Sequence, residues 1–257
     1  AMSCGTEIGA NLSRSFLHRH AGDKTRAVLC VDYADAHSSP DREAGMGEIR
    51  RRCPGFAPYV ESLYTDPVPQ YCGDEVIFNH RGYVQGDGVA GPAWAVGFKP
   101  VQEAAWRDVH AAQRSLQFEC WFKDDGSAGG ELATLLLWFR SLQRHGAARG
   151  YRLRPKKCEI LLPPGVTPEH IDIRRWGMVG TTGEVEYPIL RCEGWTADDT
   201  ARPDPYVVLG SPVGCRAATE VFVAEKAAEA EDLFDAIAEL GHSQCARAWR
   251  SVARHLK

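Results

Sequence analysis

The sequence predicts a mixed domain, α+β or α/β, on three observations. Helical and extended segments alternate along the chain, with no internal repeat or low-complexity tract. Hydrophobic residues make up 44% and charged residues 25%, the profile of a globular chain with a core to bury. At 257 residues the chain suffices for one large domain or two small ones.

Each element follows from its local pattern. Residues 6–19 read as a helix with the basic end "RSFLHRH", then the turn "AGDK" and the strand "RAVLCVDY", rich in apolar and β-branched residues and closed by Asp32. In "SSPDREAGMGEIRRRC", Ser39 and Pro40 stand at a helix start, with acids early and arginines late to suit the helix dipole. Arg51 and Arg52 are expected as solvated or dipole-facing charges. A short helix, "APYVESLYTD", follows Pro54, and "PQYCGDEVIFNHRGYVQ" reads as a hairpin turning at "CGDE". Tyr71, Phe78 and Tyr83 have rings able to stack on bases, but packing is the expected use for them.

The glycine-rich "QGDGVAGP" opens a long helix over about 92–113, with Trp94, Phe98, Val101, Ala105 and Val109 on one face. "ELATLLLWFRSLQRHG" is a second long helix, ended by Gly146 and Gly150, and "KKCEILLPP" a short strand. Residues 171–205 read as short strands in loop, and "YVVLGSPVG" as one more extended segment. From 216 two helices are expected, "AATEVFVAEKAAEAEDLFDAIAEL" and, after Gly241, "SQCARAWRSVARHL", with a boundary near 214.

Composition excludes several classes. The longest apolar run, "LATLLLWF", is too short to span a bilayer, and no signal-peptide core opens the chain, so an intracellular protein without a membrane partner is expected, nuclear or cytoplasmic alike. Nine cysteines without a CxxC pair point to free thiols rather than a disulfide framework or zinc ribbon. A net charge of -4 announces no nucleic-acid partner, although a local basic patch is compatible with one.

The stretch "QFECWFKDDGSAGG" sets Asp124 and Asp125 side by side at the tip of a strand. Two carboxylates that close raise each other's pKa unless a cation sits between them. A plain hairpin turn is the other account, with Gly126 supplying a positive φ. Asp32 ends another strand 93 positions before Asp125 (125 - 32 = 93). Neighbouring strands that end on one edge would gather the three acids into a hard, oxygen-rich site of the kind Mg2+ accepts. Such a site can hold two ions and serve in-line phosphoryl transfer.

Five segments, "VLCVDYADAHSSPDR", "GYVQGDGVAGPAWAVGF", "FKDDG", "YRLRPKKCEIL" and "YVVLGSPVG", resemble in order and spacing the palm motifs A to E of reverse transcriptases, most closely the non-LTR retrotransposon type. The resemblance implies an α+β polymerase palm over 5–214, an antiparallel sheet backed by helices, with a short helical partial thumb over 215–257. It implies Asp32, Asp124 and Asp125 as ligands of two Mg2+ or Mn2+ ions, with the carbonyl of Tyr33 as a further ligand. Gln85 and Gly86 would support the templating base and incoming nucleotide, and Lys156 or Lys157 would protonate the leaving pyrophosphate. Leu209 and Gly210 would fall in the primer-gripping hairpin. The implied reaction joins a primer 3'-hydroxyl to a dNTP on an RNA or DNA template, and the alternative is a palm retained as a binding or scaffold module.

The chain departs from the family in three ways. His37 stands where the family has a Phe or Tyr that excludes a ribose 2'-hydroxyl, and imidazole can hydrogen-bond that hydroxyl. "QGDGVAGP" is one residue longer than the usual motif B and replaces its first proline with glycine. Motif A comes about thirty residues in, so the cationic fingers that clamp a triphosphate are expected to be mostly missing, or supplied by a second chain or a homodimer.

Overall fold

The computed structural model describes residues 5–192 and 206–239. Helix α1 (Gly5–Arg19) leads into β1 (Arg26–Val31), which stops one residue short of Asp32 and is followed by β2 (Tyr33–Ala34). Helices α2 (Arg42–Arg52) and α3 (Ala57–Tyr64) precede a hairpin of β3 (Val68–Cys72) and β4 (Glu75–Asn79), and then comes the long helix α4 (Ala90–Ala111). A second hairpin, β5 (Phe118–Phe122) and β6 (Asp125–Glu131), runs directly into α5 (Leu132–Ala147). Short strands follow: β7 (Arg152–Leu153), β8 (Glu159–Leu161), β9 (Met178–Val179), β10 (Val185–Glu186) and β11 (Ile189–Arg191). After the undescribed 193–205 come β12 (Tyr206–Val208), β13 (Ser211–Val213) and α6 (Arg216–Glu239). The helix expected after Gly241 lies outside the described residues.

The class is α+β. A five-stranded sheet in the order β11-β8-β1-β6-β5 is antiparallel throughout except where β11 lies beside β8. Its two faces follow from the alternation along β1. Ala27, Leu29 and Val31 join the main core with Trp94, Phe98 and Val101 of α4 and Leu135, Trp138 and Phe139 of α5. Val28 belongs to a smaller core with Phe16 and Leu17 of α1 and Tyr206, Val208 and Val213 of β12 and β13. All five residues of the expected α4 stripe are buried.

Strand β6 is built of small residues, which favour strands weakly on their own. Its neighbours demand them. A Cβ on Gly126 would sit 2.5 Å from the Trp121 ring, and one on Gly129 would sit 2.2 Å from Phe118. The bulky side chains of β5 therefore lie across β6, and only a strand nearly without side chains can pass beneath them.

Two expectations are corrected by packing. Tyr71 and Phe78 are not used for hairpin packing: they are 77% and 56% exposed, whereas Tyr83 is fully buried. Arg51 and Arg52 are paired rather than merely solvated: Arg51 bonds Glu48, and Arg52 reaches Glu103 of α4 through two bonds of 2.9 and 2.7 Å. Cys30, Cys53, Cys120, Cys158 and Cys215 are free thiols, as expected. Among the described residues no helix is long and apolar enough to cross a membrane.

Arg42, at the start of α2, is buried and faces carbonyls rather than a carboxylate. Its Nε donates to Gly82 O at 2.9 Å, and its Nη2 donates to Asn79 O at 2.9 Å and Arg81 O at 3.1 Å. Nη1 donates to Asp66 O at 3.3 Å, and the guanidinium lies 5.4 Å from the Tyr64 ring centroid. Burial holds its pKa below the usual arginine value. One side chain thus ties the end of α3, the base of the β3–β4 hairpin and the approach to α4. Arg42→Met, which keeps volume but removes every donor, is expected to lower stability by about 3 kcal/mol in urea unfolding, because several buried carbonyls lose their partners.

A candidate carboxylate site at the sheet edge

Strands β1 and β6 pair without a break from Arg26 opposite Glu131 to Val31 opposite Gly126. One more step in the same register sets Asp32 level with Asp125. At Asp32 the chain changes partners: Tyr33 pairs with Leu153 of β7, while the Asp32 carbonyl accepts from Arg154 N–H at 2.9 Å. On the other side, Phe122 pairs with Asp125, leaving Lys123 and Asp124 as a two-residue turn. Lys123 carries the positive φ, 57°, so the expectation that Gly126 supplies it is corrected; Gly126 lies within β6, under the Trp121 ring. The hairpin turn that the sequence offers is present, over Lys123 and Asp124, with Asp125 the first residue of β6.

Asp32 and Asp125 line one cleft of about 400 Å³, together with Lys157, Glu159, Arg191 and Ser127. Burial, then the charges of Asp124 and Asp32, push the Asp125 carboxyl up to about 6, against the pull of Lys123. Burial likewise raises Asp32, with Lys157 and Arg154 opposing. Asp32 Oδ1 is buried without a hydrogen-bond partner. Burial pushes the Cys158 thiol up to about 12, and lifts the Cys30 thiol of the cleft wall further still, so both stay protonated at neutral pH.

Asp124 stands half-buried in the turn, outside the cleft lining. Among the described residues no three His, Cys, Asp or Glu side chains converge on a single ion position. Strand register thus brings two of the three acids to the cleft, with the third beside them. Of the lysines, Lys157 lines the cleft, whereas Lys156 pairs with Glu186 at 3.3 Å.

The remaining expected residues are more dispersed. Leu209 and Gly210 line the cleft as the turn between β12 and β13, with φ of 53° and 77°. The Tyr33 ring is core, edge-on to Trp94 and Phe98. His37 is half-buried, its carbonyl accepting from Tyr83 N–H at 2.6 Å and its Nδ1 buried without a partner. Gln85 and Gly86 lie in the loop before α4, Gly86 exposed with φ of 92°.

Three residues of the cleft escape sequence reasoning. Ser127 is 1% exposed with an unpartnered Oγ, and its place two residues after Asp125 on one strand face is the signal that points to it. Glu159 and Arg191 form an ion pair of 3.0 Å between β8 and β11, which only the sheet order reveals.

As a class, fold and site define an α+β domain with a carboxylate-lined cleft at its sheet edge. No family model and no curated protein matches the chain. Among solved structures it is similar to apo telomerase from Candida tropicalis truncated from its C-terminal domain, at 12% identity and a TM-score of 0.44. The likeness covers 70% of this chain and 39% of that one.

The raised Asp125 pKa has a signed consequence. A carboxyl whose folded value lies above its unfolded one contributes stability that is present at low pH and lost as pH rises through the folded value. For Asp125 the window runs from 3.8 to about 6. In EDTA, Asp125→Asn is expected to match the wild type at pH 4 and to be more stable at pH 7. Solvent reaches about half of this carboxylate and screens it, so the gain is about 1 kcal/mol, or roughly 2–4 °C in Tm by calorimetry.

Proposed function

We propose that this chain is the palm of an RNA-directed DNA polymerase, joining a primer 3'-hydroxyl to the α-phosphate of a dNTP on an RNA or DNA template. The observation that carries the reading is the register that sets Asp32 level with Asp125 at the cleft edge. Both are acids of the ordered motifs, and their side chains line one cavity.

Two Mg2+ ions, or Mn2+ in their place, would lower the pKa of the attacking hydroxyl and balance charge on the transferring phosphate. The residues fit such ions in chemistry: Asp32 Oδ1 is buried without a partner, and Asp125 is crowded by other carboxylates. Asp32, Asp125 and, from the turn, Asp124 would hold them. Lys157, on the same cleft, is the better placed of the two lysines to give a proton to the leaving pyrophosphate, since Lys156 is tied to Glu186. Leu209 and Gly210 line the same cleft, where a primer end would rest. On this reading residues 5–214 are palm and 215–257 begin a thumb.

One observation favours a second reading, a palm kept as a binding or scaffold module. Asp124 stands outside the cleft lining, so only two of the three motif acids line it, and the other carboxylate there, Glu159, is paired with Arg191.

Calorimetric titration with Mg2+ and Mn2+, followed by primer extension on the same samples, separates the two. The first reading expects binding heat that disappears in Asp124→Asn with Asp125→Asn, and extension by the wild type alone. Binding without extension selects the second reading, and no binding by a folded wild type removes the metal site.

A further inference from the structure

We infer that the groove between α4 and the β5 edge is a second ligand site, which takes a base and its adjoining phosphate on a single-stranded nucleic acid. The groove has a volume of about 610 Å³ and is lined by Lys99, Gln102, Glu103, Trp106, Arg107, Glu119 and Trp121, none of which borders the carboxylate cleft. Its size suits a nucleotide-sized ligand. Strand β5 is the outermost strand of the sheet on this side, so the groove is open along one flank.

The chemistry of the ligand follows from what is already spent. Trp106 and Trp121 donate their indole N–H groups to the two oxygens of Glu119, one to each. That carboxylate is therefore engaged by the groove wall, and Trp106 has no donor left to offer. What Trp106 presents is ring surface: it is 49% exposed, with the His110 ring 5.0 Å away between centroids. Glu103, the other acid of the lining, is held by two bonds from Arg52.

The charge left without a partner is positive: Lys99 contacts Gln102 at 3.4 Å and sits in the field of Glu103 and Glu119, whereas exposed Arg107 is in no ion pair among the described residues. A half-exposed indole beside the unpaired Arg107 suits a flat ring carrying an anion. Bases stack on aromatic side chains whatever their identity, while Lys and Arg track the phosphates. The chain's net charge of -4 makes this a local feature rather than a general basicity.

The test measures binding of a labelled strand of about 12 nucleotides to the full chain in EDTA, by fluorescence anisotropy. Trp106→Ala is expected to weaken binding about tenfold or more. Arg107→Glu, at an exposed position without a partner to lose, is expected to weaken it as well and to flatten its salt dependence. Metal-binding heat at the cleft should be the same in both variants, so this site and the proposed polymerase chemistry stand or fall separately. Unchanged affinity in both folded variants, or no strand binding by the wild type, overturns the inference. So does equal binding of a mononucleotide, which would make it a free-nucleotide site, or equal competition by polyglutamate, which would make it a site for acidic peptide.

Discussion

The pairing of β1 with β6 is the constraint on which the rest of the molecule depends. Six consecutive residue pairs fix it, and a slip of one residue would turn Ala27, Leu29 and Val31 out of the main core and bring Val28 and Cys30 into it. The same slip would part Asp32 from Asp125. Core and candidate site are thus set by one register, so the acids cannot be misplaced without exposing apolar surface on both faces of the sheet. The glycines of β6 enforce it from the other side, because the Trp121 and Phe118 rings leave room only where a Cβ is missing.

A second set of ties holds the region around the α4 entrance. Arg42 collects the carbonyls of Asp66, Asn79, Arg81 and Gly82, while Tyr64 donates to Asp87 and accepts from Val84 N–H. These bonds act between loops and helix ends, where backbone groups would otherwise be buried without partners. The loop holding Gln85 and Gly86 is therefore anchored at its base although its tip is exposed. Gly150 takes a φ of 80° close against the Ser39 carbonyl, and Ser39 Oγ donates to Gly150 O, joining the turn before α2 to the turn after α5.

Much of this was legible in the sequence because the signals were local. The α4 stripe, the strand in "RAVLCVDY" and the "CGDE" turn rest on periodicity and turn chemistry within a few residues. Strand β6 was not legible, since "DGSAGGE" has the composition of a loop and becomes a strand only under the side chains of β5. At the site, the acids were found from their position at strand ends, but which lysine faces the cleft was not: Lys156 and Lys157 are adjacent, and the choice depends on Glu186, a residue of another hairpin. The Glu159–Arg191 pair joins residues 32 apart on strands that neighbour each other only by crossover. The positive φ went to Lys123 rather than to a glycine because Gly126 was already committed to the strand.

The turn between β12 and β13 places a leucine, not the usual asparagine or glycine, in a left-handed conformation. Leu209 is held there by packing against α1, where a Cβ on Gly9 would come within 2.4 Å of its Cδ1. The cleft lining at Leu209 is thereby keyed to the first helix of the chain. Helix α1 lends no residue to the cleft, yet one of the residues lining it rests where a methyl group on α1 is missing.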